Sequence, residues 1–279
     1  MTNEIITSRQ NPRVKAAASL SDKKSRRKAG LFRFDGIKLF GEALGRVCID
    51  SVFVRYPESE DIARSIKKAI DMGFISDGCV FYLSETVFEK LTEESSPEGI
   101  VTVARYADEL HTDASESTAA ELKGKRLLIL ESVRDPGNLG TVMRSCAALG
   151  IETLVMSDDC ADIYNPKTLR SAMGAVFKLP TVSVKTAELP GFISELRKIG
   201  RKVYAAALCE GAKKIGEFNI YRDDCFVIGN EGHGLSNGVV GACDGAAIIP
   251  MREGNESLNA SAAATICIWE TVRATEAER

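Results

Sequence analysis

The second half of the chain alternates short apolar runs with stretches of helical periodicity, and this alternation restricts the fold more than any other feature. The first run, Leu127–Leu130, contains no polar residue. Apolar strands separated by helices are typical of a parallel sheet covered on both faces. The sequence therefore predicts an α/β fold. The predicted strands are 127–130, 152–156, 202–207, 225–229 and 246–249, and the predicted helices are 139–149, 187–198 and a C-terminal helix from about Leu258.

The first 105 residues predict a second, smaller α/β domain, because short apolar runs again alternate with helix-like segments. Residues 106–123 are polar, acidic and rich in Ser, Thr and Ala, which predicts a linker. The predicted organisation is thus a domain at 1–105, a linker at 106–123 and a domain at 124–279. The apolar runs are 31–34, 49–54, 79–83 and 100–104, and the helices are a basic stretch after Pro12, 36–45, 60–72 and 85–91.

The net charge is −3, but positive and negative residues are unevenly distributed along the chain. Residues 1–40 contain ten Lys and Arg against three Asp and Glu, a net +7, whereas residues 41–122 contain seven against seventeen, a net −10. Such a basic arm can bind nucleic-acid phosphates, but it would equally suit a solvated helix face without a partner. The candidate phosphate-binding residues are Arg9, Arg13, Lys15, Lys23, Lys24, Arg26, Arg27 and Lys28.

The cysteines and histidines give no support for a zinc site. The eight cysteines are scattered without a C-x-x-C pair, and the only histidines are His111 and His233. We expect reduced, mostly buried thiols. The least polar stretch, 257–269, is too short to cross a bilayer, and no apolar segment follows the basic N-terminus. We therefore expect a cytoplasmic protein with no metal ion and no membrane association.

The sequence DPGNLGTVMRSCAALG, residues 135–150, directly follows the first strand of the second half. Pro136 and Gly137 predict a turn, and Asn138 can cap the helix that follows. Arg144 then lies within two helical turns of the carboxyl edge of the sheet, where α/β proteins bind their ligands. A plain strand, turn and helix with a surface arginine would give the same pattern.

The sequence FVIGNEGHGLS, residues 226–236, opens a stretch with six glycines in 17 residues. A loop this rich in glycine approaches a ligand or another backbone closely, or adopts positive φ. The glycine spacing excludes a Rossmann dinucleotide fingerprint, and no P-loop motif occurs. Glu231 and His233 lie among the glycines, and a lone histidine is more often structural than functional.

The sequence AAIIPMREGNESLNASAAATICIWE, residues 246–270, contains a strand, a polar loop and a helix begun by Ser257, Leu258 and Asn259. The small residues at 260–264 allow another backbone to pack very close. That property suits a tightly packed core helix as well as a binding site.

Together these segments resemble the SpoU/TrmH family of RNA ribose methyltransferases within the SPOUT superfamily. The shared motifs are N-x-G-x-x-x-R, I-G-N-E-G-x-G and I-P-M-x-x-x-x-E-S-L-N-A-S, and RSAMGAVFKLP at 170–180 is also similar, so the resemblance covers about 124–272. The segments SRQNPRVK, RRKAGLFRFDGIKLFGEAL and SPEGIVTVARY resemble the family's substrate-binding domain, which is similar to a small ribosomal-protein fold. Ala260 and Ala262 stand where the family more often has Val.

The resemblance implies a trefoil knot at about 226–272, S-adenosyl-methionine as the cofactor, a homodimer formed by the C-terminal domain, and ribosomal RNA as the substrate. The tRNA-modifying members commonly lack the N-terminal domain. By position, the implied cofactor-binding residues are Gly229, Ile249 and Leu258, and the implied catalytic residues are Asn138, Arg144, Glu231, Ser257 and Asn259.

The implied reaction requires in-line placement of the ribose hydroxyl and stabilisation of a developing alkoxide. A guanidinium keeps its proton in proteins, so we expect Arg144 to act as a cationic clamp rather than as a base. Glu231 would orient Arg144 through a bidentate pair. Three alternatives are a tRNA methyltransferase of the same family, a non-catalytic ribosome-associated RNA-binding protein and a nucleotide-dependent oxidoreductase. Arg144 and the intact glycine-rich loop oppose the second, and the glycine spacing opposes the third.

Overall fold

A computed structural model of the chain describes residues 4–94, 96–252 and 257–276. The chain forms two compact units. Unit 1 comprises Met1–Ala107 and Tyr164–Phe177, and unit 2 comprises Asp108–Ile163 and Lys178–Arg279. A short segment from the second half of the sequence therefore belongs to unit 1.

The elements follow one another closely along the chain. The helices are α1 (Pro12–Ser19), α2 (Lys23–Ala29), α3 (Ile37–Ala43), α4 (Glu60–Asp71), α5 (Glu85–Phe88), α6 (Thr118–Glu121), α7 (Pro136–Leu149), α8 (Pro166–Ala172), α9 (Leu189–Lys198), α10 (Asn237–Ala242) and α11 (Ala260–Glu276). The strands are β1 (Leu31–Asp35), β2 (Ile49–Arg55), β3 (Val80–Leu83), β4 (Ile100–Arg105), β5 (His111–Asp113), β6 (Leu127–Leu130), β7 (Thr153–Ser157), β8 (Thr181–Val184), β9 (Val203–Ala206), β10 (Lys213–Lys214), β11 (Cys225–Ile228) and β12 (Gly245–Ile248).

Unit 1 is built on a four-stranded mixed sheet in the order β1-β4-β2-β3. Strand β4 runs antiparallel to β1 and β2, whereas β2 and β3 are parallel. Phe53 and Val103 pack with residues of α1 and α5 on one face. Val52 and Val54 pack with residues of α3 and α4 on the other face. This alternation is expected of strands whose two faces are both covered.

The basic stretch after Pro12, predicted as helical, forms two helices rather than one. The side chains of Asn11 and Asp22 each accept a hydrogen bond from a backbone N–H in the first turn of α1 and α2, respectively. Such caps satisfy donors that a helix start leaves unpaired, so Asp22 begins a second helix. Gly30 ends it in the left-handed conformation, with φ of 63°.

The segment Tyr164–Phe177 joins unit 1 through aromatic contacts. The Tyr164 ring stacks on Tyr106 with centroids 4.2 Å apart and lies 4.5 Å from Phe32. Phe177 lies 5.3 Å from Phe34. Aromatic rings contribute large buried areas, so these contacts explain why the segment belongs to unit 1 despite its position in the sequence.

Unit 2 contains an eight-stranded sheet in the order β10-β12-β9-β11-β6-β7-β8-β5. Every pair of neighbouring strands is parallel. All residues of β6, β7 and β11 are buried, as expected for central strands of a sheet covered on both faces. The predicted α/β fold with a parallel sheet is confirmed.

Three strands of this sheet, β5, β8 and β10, were not predicted. Strand β10 consists of Lys213 and Lys214, which are both exposed. Strand β5 lies within 106–123, the stretch interpreted as a linker, and pairs with β8 at the edge of the sheet. Its residues are His, Thr and Asp, and none of them is buried. Strand β8 contains Thr181 and Ser183 among its four residues. Edge and near-edge strands carry polar residues, so the apolar runs used for prediction do not reveal them.

Because all strands of the unit 2 sheet are parallel, their carboxyl ends lie at one edge. The loops after β6, β9, β11 and β12 therefore converge there, and they include the three sequence motifs. No helix in the described parts of the chain is long and apolar enough to cross a membrane.

Candidate active site

Helix α7 begins at Pro136, and its cap is Asp135 rather than Asn138. Asp135 Oδ1 accepts a hydrogen bond from the backbone N–H of Asn138 at 2.9 Å. The predicted start of this helix at 139 is wrong, because Asp followed by Pro is a strong start signal three residues earlier. The Asn138 side chain is therefore available for other contacts.

The amide of Asn138 connects the three motifs. Its Nδ2 donates to Glu231 Oε1 at 2.8 Å, and its Oδ1 accepts from Asn259 Nδ2 at 2.9 Å. Asn259 Oδ1 accepts in turn from the backbone N–H of Ser261 at 2.9 Å, in the first turn of α11. One side chain thus links the start of α7, the glycine-rich loop and the start of α11.

Asn230 shapes the glycine-rich loop, and sequence reasoning did not select it. Its Oδ1 accepts from the backbone N–H of Gly232 at 2.8 Å and of His233 at 3.1 Å. Its own backbone N–H and C=O bond to Gly234. An asparagine among glycines is a turn signal, since its side chain can bond to the backbone two residues on. That signal could have identified Asn230.

Gly229 occupies a position that admits no side chain. A Cβ at Gly229 would lie 2.4 Å from the carbonyl carbon of Gly234 and 2.6 Å from the nitrogen of Leu235. The expected close approach to another backbone is therefore present, and the partner backbone is the far side of the same loop.

Glu131 fixes the far end of this loop. It directly follows β6, is 5% exposed, and accepts a hydrogen bond from the backbone N–H of Ser236 at 2.8 Å. A buried carboxylate requires such a donor. Sequence reasoning missed Glu131, because nothing in the local pattern shows that a residue 105 positions later donates to it.

Asp159 follows β7 and accepts several hydrogen bonds at the same edge of the sheet. Its carboxylate accepts from the hydroxyls of Ser132 and Ser157 and from Arg134 Nη2, each at 2.7 Å. Thr186 Oγ1 adds a fourth bond at 3.0 Å. Burial raises the pKa of Asp159, but the hydrogen bonds outweigh it and hold that pKa well below its usual range.

Ser132 connects Asp159 to the glycine-rich loop by hydrogen bonds. Its φ is +57°, a left-handed conformation that is uncommon for serine. Its N–H donates to Ser157 Oγ at 2.7 Å, and its carbonyl accepts from Asn230 Nδ2 at 2.8 Å. A continuous path of hydrogen bonds therefore runs from Asp159 through Ser132 and Asn230 to the loop.

The carboxyl edge of the unit 2 sheet contains a cavity of about 510 Å³. The residues predicted to bind the cofactor, Gly229, Ile249 and Leu258, all line it, together with Glu231 and Ser257. Leu258 is 40% exposed. The lining combines residues of the glycine-rich loop with apolar side chains, which is the usual composition of a site for an organic ligand.

Arg144 lies exposed on α7, six residues after Asn138 and about 9 Å further along the helix axis. It makes no hydrogen bond or ion pair with any residue that the structure describes. The expected Glu231–Arg144 pair is not formed, since Glu231 accepts from Asn138 instead. The structure therefore brings Asn138, Glu231 and Asn259 together and leaves the Arg144 guanidinium accessible.

The basic arm comprises Arg9 and the cationic residues of α1 and α2, and Arg26 differs from the others. Arg26 is 1% exposed, and its Nη1 donates to the carbonyls of Leu20 and Ser21 at 2.9 and 2.7 Å. This arginine secures the turn between the two helices, so its buried guanidinium is not accessible to phosphates. Arg9 is exposed, and its Nε donates to the carbonyl of Thr86 at 2.9 Å. The exposed remainder of the arm is Arg13, Lys15, Lys23, Lys24, Arg27 and Lys28.

All eight cysteines are free thiols, and five of them are buried. Burial raises the pKa of Cys225 and Cys267 to about 12, which keeps both thiols protonated. Within the described ranges, no group of three or more His, Cys, Asp or Glu side chains could hold a metal ion.

Comparison with known proteins matches residues 125–269 to the SpoU rRNA Methylase family. This range covers more than half of the chain and includes all three motifs. The chain belongs to the SpoU rRNA methylase family. The family resemblance inferred from the motifs is thereby confirmed. Residues 11–102 match the MRM3-like substrate binding domain.

Similar proteins support this membership over nearly the whole length. The 23S rRNA (guanosine(2553)-2'-O)-methyltransferase RlmP of Bacillus subtilis is 32% identical over 95% of this chain and 97% of the relative. The 23S rRNA (guanosine-2'-O-)-methyltransferase RlmB of Coxiella burnetii is 35% identical over 71% of this chain and 78% of the relative. The crystal structure of an AdoMet-bound rRNA methyltransferase from Sinorhizobium meliloti superimposes with a TM-score of 0.81 at 25% identity, covering 97% of each chain.

Proposed function

We propose that this chain transfers a methyl group from S-adenosyl-methionine to a ribose 2′-hydroxyl of ribosomal RNA. One observation carries the proposal. The Asn138 amide holds Glu231 and Asn259 at 2.8 and 2.9 Å, and Glu231 lines the same cavity as Gly229, Ile249 and Leu258. Four of the five residues implied for catalysis, all except Arg144, thus lie with those implied for cofactor binding at one sheet edge.

S-adenosyl-methionine suits the cavity in unit 2. The loop at Gly229 offers backbone donors and acceptors without side chains in the way, and Ile249 and Leu258 offer apolar surface for an adenosine. When bound, the cofactor supplies a methyl group on a positively charged sulfur, which is a good leaving group. Ser257 lines the cavity as well, so its hydroxyl can contact either reactant.

Arg144 stabilises the negative charge that develops on the ribose oxygen. The exposed guanidinium is a fixed positive charge, and preorganised donors of this kind are among the strongest contributors to catalysis. It binds the hydroxyl oxygen and the neighbouring phosphate, and the proton leaves to phosphate or water. Asn138, Glu231 and Asn259 hold the ribose and the loops in position.

Ribosomal RNA is the favoured substrate because RlmP and RlmB, the relatives compared above, are both 23S rRNA methyltransferases. The match of residues 11–102 to a substrate-binding domain adds support. We accordingly assign RNA binding to residues 1–105 and catalysis to 124–279. The exposed cations of α1 and α2 would contact RNA phosphates, and we place the reaction in the cytoplasm.

We further propose a homodimer and a knotted chain. Ile266 and Trp269 are 36% and 52% exposed on α11, and apolar side chains of this size suit an interface. A sedimentation mass near 30 kDa at micromolar concentration would contradict the dimer. The path from central β11 out to β12 and back to α11, which packs on α7 and β11, supports a knot at 226–272.

The reaction class is tested by mapping 2′-O-methylated sites in RNA from cells with and without the gene. A methylated 2′-oxygen cannot attack its neighbouring phosphate, so we expect one additional alkali-resistant linkage in ribosomal RNA. A substrate with a 2′-deoxy nucleotide at that site should accept no methyl group. Incorporation into the deoxy substrate would mean that a base is modified, and a site found only in tRNA would reassign the substrate.

Cofactor binding is tested separately by calorimetry. S-adenosyl-methionine should bind the purified protein, and nicotinamide dinucleotides should not. Absence of heat with S-adenosyl-methionine and with its demethylated product, with and without RNA, would contradict the proposal.

A further inference from the structure

Unit 1 contains a cavity of about 550 Å³ that the proposed reaction does not use. Arg13 and Ala16 of α1 line one side, and Leu31, Phe53 and Phe81 of the sheet line the floor. All its lining residues belong to unit 1, whereas the catalytic cavity is lined entirely by residues of unit 2. The two cavities are therefore distinct.

Two aromatic rings and a planar guanidinium line this cavity. The Phe53 and Phe81 ring centroids lie 5.6 Å apart, and the Arg13 guanidinium carbon lies 4.4 Å from the Phe81 centroid. Phe53 is buried and Phe81 is half-buried, whereas Arg13 is exposed. The outer face of the guanidinium thus offers a flat, polarisable surface, on which unpaired nucleobases stack in many RNA-binding proteins.

The rim of the cavity carries a carboxylate. Asp50 accepts one hydrogen bond, from Ser51 Oγ at 3.1 Å, and no other described residue donates to it. A carboxylate repels phosphate, but it accepts hydrogen bonds from the exocyclic amino group of a base. The cavity therefore suits a base rather than the RNA backbone.

Cations suited to the backbone lie beside the cavity. Ala29, the last residue of α2, lines it, and the exposed Lys23, Lys24, Arg27 and Lys28 stand on that same short helix. A single strand whose phosphates follow α2 would bring its bases to the cavity. Affinity from phosphates combined with base stacking is typical of single-stranded RNA recognition.

We propose that this cavity receives an unpaired nucleobase of the RNA substrate, stacked on Arg13 and bonded to Asp50 through an exocyclic amino group. The inference rests on the proposed function in assuming an RNA substrate. It adds a second base-binding site, separate from the nucleotide that is methylated. Arg13 then acts through its planar shape, rather than through its charge alone.

The decisive comparison is Arg13→Lys against Arg13→Ala, measured as the dissociation constant of the full-length protein for deproteinised ribosomal RNA without cofactor. Lysine keeps the charge but has no planar face. Loss of a stacking contact weakens binding by at least about fivefold, so both variants should bind at least fivefold more weakly. Arg64→Lys and Arg64→Ala, on exposed α4 of the same unit, serve as controls and should bind as the wild type does. Full rescue by lysine would overturn the stacking role.

A second variant, Ala16→Trp, fills the cavity from the exposed face of α1 without removing any contact. It should weaken RNA binding to a similar degree, whereas Ala120→Trp on α6 of unit 2 should not. Thermal unfolding confirms that each variant folds. A folded Ala16→Trp protein with wild-type affinity would overturn the proposal.

The amino-group preference is measured by competition with short cytidine and uridine oligonucleotides, whose bases differ by an amino group in place of a carbonyl. A hydrogen bond to a charged group changes affinity by about tenfold, so cytidine should compete better by that factor, and Asp50→Ala should remove the preference. Equal competition would contradict the Asp50 contact. Because these measurements use binding without methyl transfer, a failure of the catalytic proposal would leave their outcome unchanged.

Discussion

The Ser132 hydroxyl donates a hydrogen bond to Asp159 Oδ2 at 2.7 Å, across the carboxyl ends of the neighbouring strands β6 and β7. The φ of +57° at Ser132 costs a non-glycine residue about 1–3 kcal/mol. Hydrogen bonds to the N–H, the hydroxyl and the carbonyl of Ser132 offset that cost. Asp159 is the charged partner, so the conformation beside the glycine-rich loop depends on it.

Asp159→Asn should destabilise the protein by about 1.5–3 kcal/mol, because hydrogen bonds to a charged acceptor are the stronger ones. It should also weaken S-adenosyl-methionine binding several-fold, since Ser132 holds Asn230 of the loop. Denaturant unfolding and calorimetry measure the two effects. Asp158→Asn is the matched control, because Asp158 also bonds Thr186 but not Ser132. Equal loss of cofactor affinity in both variants would refute the path through Ser132.

The stabilisation by Asp159 should depend on pH in a defined direction. Its pKa in the folded protein lies below the ordinary value of 3.8. A depressed carboxyl pKa adds stability that is fully present above the unfolded pKa and is lost as the pH falls through the folded pKa. The difference in unfolding free energy between wild type and Asp159→Asn should therefore be constant from about pH 6 to 8 and shrink below about pH 4. A difference that grows in acid would contradict this assignment.

Gly229→Ala should abolish cofactor binding, because the new Cβ would lie 2.4 Å from the backbone of Gly234 and force the loop apart. Gly241→Ala provides the control. Gly241 lies on exposed α10, and a Cβ there meets nothing within 4 Å, so alanine should be neutral or slightly stabilising. Calorimetry with S-adenosyl-methionine distinguishes the two variants, and wild-type affinity in Gly229→Ala would disprove the steric argument.

Asn138→Asp should reduce methyl transfer more than Asn138→Ala does. Alanine removes both bridging bonds, whereas aspartate places a second carboxylate beside Glu231. Like charges at hydrogen-bond distance repel each other. Single-turnover rates with saturating cofactor measure the effect. The order should reverse in a Glu231→Gln background, where the amide can donate to the new carboxylate, and an unchanged order would count against the direct contact.

Arg144→Ala should lower methyl transfer by about 10²–10³-fold and leave cofactor affinity within a few-fold, because one preorganised charge is lost while the cavity is untouched. Arg222→Ala is the control. Arg222 pairs with Glu152 at 3.0 Å. Arg222 precedes β11 and Glu152 precedes β7, so the pair lies at the amino edge of the sheet, opposite the cavity. Turnover of Arg144→Ala above a tenth of the wild-type value would exclude the clamp role.

The sequence predicted the central strands β6 and β11 and the composition of the cavity wall, because each depends on a local pattern. Apolar runs mark buried parallel strands. The family resemblance, carried by three local motifs, implied Gly229, Ile249 and Leu258, all of which line the cavity. The cofactor-binding and catalytic roles themselves remain predictions.

Other features depend on contacts between distant residues, which no local pattern contains. Glu131 accepts a hydrogen bond from the N–H of Ser236, and Ser132 donates one to Asp159. In the sequence Arg26 is simply one more positive charge. In the structure its side chain is buried and donates to the carbonyls of Leu20 and Ser21. Charge counts cannot separate a structural arginine from one that faces RNA.

The aromatic segment Tyr164–Phe177 makes the two units inseparable by a single cut in the chain. A fragment that begins after residue 107 would keep Tyr164 and Phe177 but lose Phe32, Phe34 and Tyr106, against which they pack. The orphaned rings would form an apolar patch prone to self-association. Exchange of unit 1 between relatives must therefore replace two stretches of sequence together, because a chimera joined at one point would contain only half of this aromatic core.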